Sequence, residues 1–166
     1  NVVSLFLIMI FITGCGPSKP KDALGLYAEL DKSSGPNVQT EKEEKDGWQL
    51  LFDGKTTEGW HGYNLTIFPD CWAVEDGSLT MNTTGSSESL DILTSKMYRD
   101  FALSLEYKLT KAANSGIIYQ IAEDPKYKFP YETGPEFQVI DHQNWPDTLA
   151  DWQINGANYA MYPPMV

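Results

Sequence analysis

Positive charge is scarce in this chain. Twelve Lys and Arg stand against 23 Asp and Glu, a net charge of −11. A nucleic-acid partner is excluded on that ground, because phosphate contacts need Lys and Arg stripes and the sequence has none. Histidine and cysteine are also scarce, at two each. A zinc cluster needs more ligands of that kind. Cys71 then reads as a buried thiol beside Trp72. The apolar run Val2–Ile12 (VVSLFLIMIFI) has 11 residues, where a membrane-spanning helix needs about 20. After residue 47 no segment repeats its apolar residues at helical spacing.

Aromatics, by contrast, are plentiful: 13 % of the chain, with five Trp, nine Tyr and seven Phe. Such a content favours β structure. It also suits carbohydrate recognition, since sugar C–H faces stack on aromatic rings, although any single ring is more often core. The apolar run at residues 2–12, followed by Thr13, Gly14 and Cys15, reads as a signal-peptide h-region and a bacterial lipobox. Residues 1–14 are therefore expected to be a lipoprotein signal peptide lacking its n-region, with lipid on Cys15 as a membrane anchor. The expected setting is the bacterial cell envelope, periplasmic or at the outer-membrane surface. Residues 15–46, rich in Lys, Glu, Pro, Ser and Gly, read as a tether. A short helix is expected near 22–30, and 41–46 (EKEEKD) reads as a solvated charge cluster.

From residue 47 onward the pattern predicts short strands punctuated by turns. They fall at 48–52, at 72–75 and 78–82 joined by the Asp76-Gly77 turn, at 92–95, at 101–109 and at 117–122, with a turn at 113–116. In 101–109 the alternation turns Phe101, Leu103, Leu105, Tyr107 and Leu109 inward. A β-sandwich or barrel is the expected architecture, with further strands needed beyond residue 166 to close both sheets.

The stretch 134–142, GPEFQVIDH, carries the densest chemistry. As a strand it places Phe137 and Val139 on one face and Glu136, Gln138 and Ile140 on the other. Glu136 and Gln138 then stand about 7 Å apart, an acid and an amide able to hold a polyhydroxylated ligand. Asp141 and His142 follow at its end. A divalent ion could be shared by Glu136, Asp141 and His142, though the spacing does not demand one. The plainer alternatives are a solvated acid at Glu136, a loop cap at Asp141 and an exposed loop residue at His142.

Six segments resemble one family together: 47–63 (GWQLLFDGKTTEGWHGY), 72–81 (WAVEDGSLTM), 93–109 (LTSKMYRDFALSLEYKL), 114–120 (NSGIIYQ), 133–142 (TGPEFQVIDH) and 156–164 (GANYAMYPP). Residues 47–166 are similar to the 3-keto-disaccharide (3-keto-glycoside) hydrolase domain family, formerly a domain of unknown function. The resemblance implies an all-β, concanavalin A-like jelly-roll β-sandwich, and cleavage of glycosides whose glucose unit already carries a C3 ketone. Two positions depart from the family pattern. Gln120 stands where Arg is frequent, and His142 where Asn is frequent.

A C3 ketone acidifies C2–H, so a base can form an enolate that expels the C1 substituent, and water can then add. The route needs a base near C2, an acid near the glycosidic oxygen and a polar group at the enolate oxygen, unlike the oxocarbenium route of ordinary glycosidases. Glu136, Asp141 and His142 are the catalytic candidates; an imidazole titrates near neutral pH, and burial would raise a carboxyl into that range. Gln138, Gln120, Asn114, Trp60, Tyr159 and Tyr162 are the saccharide-binding candidates. Asn114 and Ser115 could equally be only a turn, and Trp60, beside His61 in a GWHG loop, could be core. The competing function is a carbohydrate-binding module without proton-transfer chemistry.

Overall fold

The computed structural model describes residues 2–12 (backbone only), 35–82 and 90–165. Cys15 and the helix expected near 22–30 lie outside the described residues. The elements run β1 (Val2–Ile12), α1 (Glu41–Lys45), β2 (Trp48–Leu50), β3 (Trp60–Gly62), β4 (Trp72–Glu75), β5 (Ser78–Asn82), β6 (Ile92–Thr94), β7 (Phe101–Leu109), β8 (Asn114–Ile118), a 3-10 turn (Pro130–Glu132) and β9 (Glu136–Ile140). Among the described residues the regular structure is almost wholly strand, as the patterning predicts.

One antiparallel sheet holds β2, β1, β5 and β4 in that order, with β7 on the other edge of β1; β3 pairs with β6, and β8 with β9. The β4–β5 hairpin closes through Asp76 (φ 49°) and Gly77 (φ 74°). Positive φ at both central residues is what a two-residue hairpin turn demands, and an Asp-Gly pair supplies it. Phe52, Cys71, Trp72 and Leu79 form the buried centre, with Trp60, Ile92, Leu103 and Leu105 packed against it. Cys71 is a buried free thiol, as read. On β7 only the middle matches the expected inward face: Phe101 (39 %) and Tyr107 (37 %) keep much of their surface exposed because they overhang this cluster.

Residues 41–46 differ from the expected charge cluster. Thr40 and Glu43 form a capping box around the first turn of α1, which uses two otherwise orphaned amides. Glu43 is thereby buried. Ordered structure also begins before residue 47: the Asn37 side-chain amide donates to the Gly77 carbonyl at 2.7 Å, and Gln39 reaches both Trp48 and Leu50.

The expected turn at 113–116 is instead the start of β8, where Asn114 pairs with Ile140. The turn lies one step earlier, with Ala112 at φ 54°. Asp141 draws it there: its carboxylate accepts from the Ala112 amide at 3.0 Å, and its own amide donates to the Ala113 carbonyl at 2.9 Å. The strand expected over 117–122 stops at Ile118, and Gln120 adopts φ 56°.

Candidate functional site

Register sets the site. On β8–β9, Glu136 lies opposite Ile118 and Gln138 opposite Gly116, so Glu136 and Gln138 share a face as their spacing predicts. The Glu136 side chain does not extend outward. It folds into the space above Gly116, where a Cβ would overlap its Oε1 and stand 2.6 Å from both Cγ and Cδ. Glycine is needed here for room, not for backbone conformation.

Burial in this cradle raises the Glu136 pKa above the usual carboxylate range, and the charge of Asp91 pushes it further. Asp91 immediately precedes β6. It is raised as well, by desolvation; it keeps solvent access on one side, yet the protein packed around it disfavours its anion. Carboxyls whose neutral form is favoured in this way cluster at functional sites. Beside Glu136, Gln138 is 3 % exposed, and its Oε1 has no hydrogen-bond partner among the described residues. A buried acceptor left without a donor is costly.

Asp141 and His142 lie at the far end of β9. Five strand positions at about 3.3 Å each separate Asp141 from Glu136 by roughly 16 Å. The three catalytic candidates therefore do not share one site, and they are too far apart to share an ion. Among the described residues no group of three or more His, Cys, Asp or Glu could hold a metal. Asp141 is the loop cap that its position allowed. The Ala112 amide, then Asn144, hold its carboxyl below the ordinary range. His142 is exposed on an open cleft of about 460 Å³ that also meets Tyr107, Lys111 and Asn155. Asn155 donates to the Tyr107 hydroxyl at 2.7 Å and accepts from the Ile140 amide at 3.1 Å.

The binding candidates divide between the two ends. Asn114, opposite Ile140, belongs to the His142 end. Gln120, just past β8, and Tyr159 belong to the Glu136 end; the Tyr159 amide donates to the Glu136 carbonyl at 2.9 Å. Tyr159 stands edge-on to Trp152 at 5.6 Å. Tyr162 is 66 % exposed. Trp60 is not a sugar platform: its indole N–H donates to the Leu51 carbonyl at 2.8 Å, and the ring packs on the core.

Asp91, His61, Ser95 and Glu123 were not singled out by sequence reasoning as catalytic. On β3–β6, Trp60 and Ile92 turn to the core, so alternation turns His61, Leu93, Asp91 and Ser95 to the opposite face. There His61 Nδ1 lies 3.1 Å from Ser95 Oγ, and Nε2 lies 3.1 Å from Glu123 Oε1. The alternation through residues 91–95 carries part of this signal; Glu123, supplied by a distant loop, carries none.

Residues 47–165 match the 3-keto-alpha-glucoside-1,2-lyase-like domain. A 3-keto-disaccharide hydrolase of Bacteroides thetaiotaomicron is 33 % identical over 131 residues, covering 70 % of this chain and 45 % of that protein. The chain thus spans less than half the length of that relative. A crystal structure from Parabacteroides distasonis ATCC 8503, provisionally described as a glycosyl hydrolase, aligns with a TM-score of 0.65 at 36 % identity, over 78 % of this chain and 62 % of that one. The all-β, jelly-roll class read from the sequence agrees with that neighbour. By the match over residues 47–165, the chain belongs to the 3-keto-alpha-glucoside-1,2-lyase-like domain family.

Proposed function

We propose that this protein cleaves the glycosidic bond of 3-keto-glucosides, by removing the C2 proton, eliminating the C1 substituent and hydrating the product. The observation that carries the reading is Glu136: a carboxylate folded over Gly116, raised by burial and by Asp91. Acidified C2–H needs one base whose pKa lies nearer neutrality than a free carboxylate. Glu136 takes that role. Asp91 tunes it, and Gln138 and Gln120 hold hydroxyls. The hydrolase named among the relatives supports the substrate class.

Incubation of the full-length protein with a 3-keto-disaccharide should release the leaving sugar, and Glu136→Gln should lower the rate by at least about 100-fold. Cleavage of the unoxidised disaccharide alone would point to ordinary glycosidase chemistry. The exposed Trp152, Tyr159 and Tyr162 favour a second reading, a module that only holds sugars. It predicts saccharide binding with no turnover.

For location we propose export and lipid attachment at Cys15, supported by the apolar run and the Thr13-Gly14-Cys15 sequence. Mass spectrometry of the mature N-terminus should find a lipidated Cys15. An unmodified N-terminus upstream of it would exclude the anchor.

A further inference from the structure

The neighbour of Glu136 on the side of β9 away from β8 is aromatic. β9 pairs with β8 on one side, and on the other Phe137 bridges to Asn158. One step along that register sets Tyr159 opposite Glu136, and the Tyr159 amide donates to the Glu136 carbonyl at 2.9 Å. Residues opposed in antiparallel pairing share a face. The Glu136 carboxyl leans the other way, over Gly116 on β8. Gly116 and Tyr159 stand one strand spacing to either side of β9, about 9–10 Å apart across the sheet. A base contact of about 3 Å and a sugar ring about 4 Å thick fill most of that gap. The far face of the ring, and any group leaving from it, then lies toward Tyr159.

Packing alone is the competing explanation for the Tyr159–Trp152 pair. The packed tryptophans of this chain look different: the indole N–H groups of Trp60 and Trp72 donate to the carbonyls of Leu51 and Leu90 at 2.8 and 2.7 Å. Trp152 and Tyr159 are exposed, and among the described residues no hydrogen bond engages Trp152 Nε1 or Tyr159 Oη. Their rings meet edge-on, 5.6 Å apart at 77°, so at least one face of Tyr159 is left uncovered by Trp152. An open ring face with unused polar atoms at its rim suits a sugar, which offers a C–H face ringed by hydroxyls.

We propose that the Tyr159–Trp152 corner is the platform for the departing sugar of α-linked 3-keto-disaccharides, and that it makes the protein prefer a ring as leaving group. The proposal rests on the reading of Glu136 as the base. The C2–H bond that Glu136 breaks has to stand perpendicular to the plane of the C3 carbonyl, so that its electrons can enter the enolate. In a glucose ring that bond is axial. In an α-glucoside the C1–O bond is axial as well, on the opposite face. The leaving unit therefore departs on the side away from Glu136, where Tyr159 stands. The Glu136 carboxylate takes the C2 proton, and the C–H pair passes through the enolate into the C1–C2 double bond. The C1–O pair leaves on the oxygen, which takes a proton from water. The family to which the chain belongs is named for α-glucosides.

The test uses full-length protein with an α-linked 3-keto-disaccharide and with methyl 3-keto-α-glucoside, whose leaving group has no ring to stack. C2–H exchange into deuterated water is followed on both. Tyr159→Ala and Trp152→Ala should each raise KM for the disaccharide roughly 5- to 10-fold, as the loss of one ring contact does. Its kcat should change little, because the stack holds substrate and transition state alike. The loss on the methyl glycoside should be far smaller, and C2 exchange should persist; a merely structural role would lower both substrates together. Tyr159→Phe, which keeps the ring, should keep most of the disaccharide affinity. Equal losses on the two substrates, no loss on the disaccharide, or faster cleavage of a β-linked isomer by the wild type would overturn the platform and leave the base assignment standing. A wild-type protein that neither cleaves nor exchanges C2–H in either substrate would overturn both.

Discussion

Glu136 is the residue on which chemistry and stability pull in opposite directions. Its pKa is raised by burial and then by Asp91, so the folded protein favours the neutral acid. The stabilising contribution is fully present below the unfolded carboxyl pKa and is lost as pH rises through the raised folded value. At neutral pH Glu136 therefore costs stability. Glu136→Gln should raise Tm at pH 7 by a few degrees, since about 1 kcal/mol moves Tm by roughly 2–4 °C at this size; at pH 4 the gain should disappear. Thermal scans of the two proteins at both pH values check it. Asp91→Asn acts on the other side of the same balance. Without the neighbouring charge Glu136 ionises more readily, so the acidic limb of the kcat/KM profile should move to lower pH. An unmoved limb would mean that Asp91 does not tune the base.

Among the elements, β8 matters most to the site, because Gly116 makes room for Glu136. Gly116→Ala should displace the carboxylate and lower turnover about 100-fold, as a misplacement of about 1 Å does. The intruding methyl should cost roughly 1–3 kcal/mol. Retained circular dichroism with lost turnover would separate displacement from unfolding. The elements also show what was legible beforehand. The β4–β5 hairpin and β7 were readable to the residue, because Asp76-Gly77 names its turn and residues 101–109 alternate without interruption. The start of β8 was not. Asn114-Ser115-Gly116 has turn composition, and only pairing with β9 and the pull of Asp141 on Ala112 make it strand. Glu136 and Gln138 were found as a pair because period-two spacing reports a shared face. Asp91 was missed as the partner of Glu136 because patterning within a strand says nothing of which strand ends meet. The same gap joined Glu136 to Asp141 and His142, which neighbour it in sequence but lie a strand length away.

At the scale of the whole molecule the open issue is the place of β1. Its residues 3–12 pair with β7 along one edge, while 2–5 pair with β5 and 9–11 with β2 along the other. An uncharged apolar run suits a central strand as well as it suits a signal h-region, since both need uninterrupted apolar residues. The two roles exclude each other in one molecule: processing at Cys15 takes β1 away and leaves β7 with an unpaired edge. Hydrogen exchange compares the two forms directly. A chain of residues 15–166 should exchange the β1-facing amides of β7 at least about tenfold faster than the chain that keeps residues 1–14, because those amides lose their ladder partners. Among the described residues the hydrogen bonds of the β8–β9 amides run to each other and to residues 155–159, none of them to β1, so their protection, and with it the Glu136 cradle, should be retained. Equal exchange of β7 in the two chains would remove β1 from the sheet and leave residues 2–12 with the export role alone.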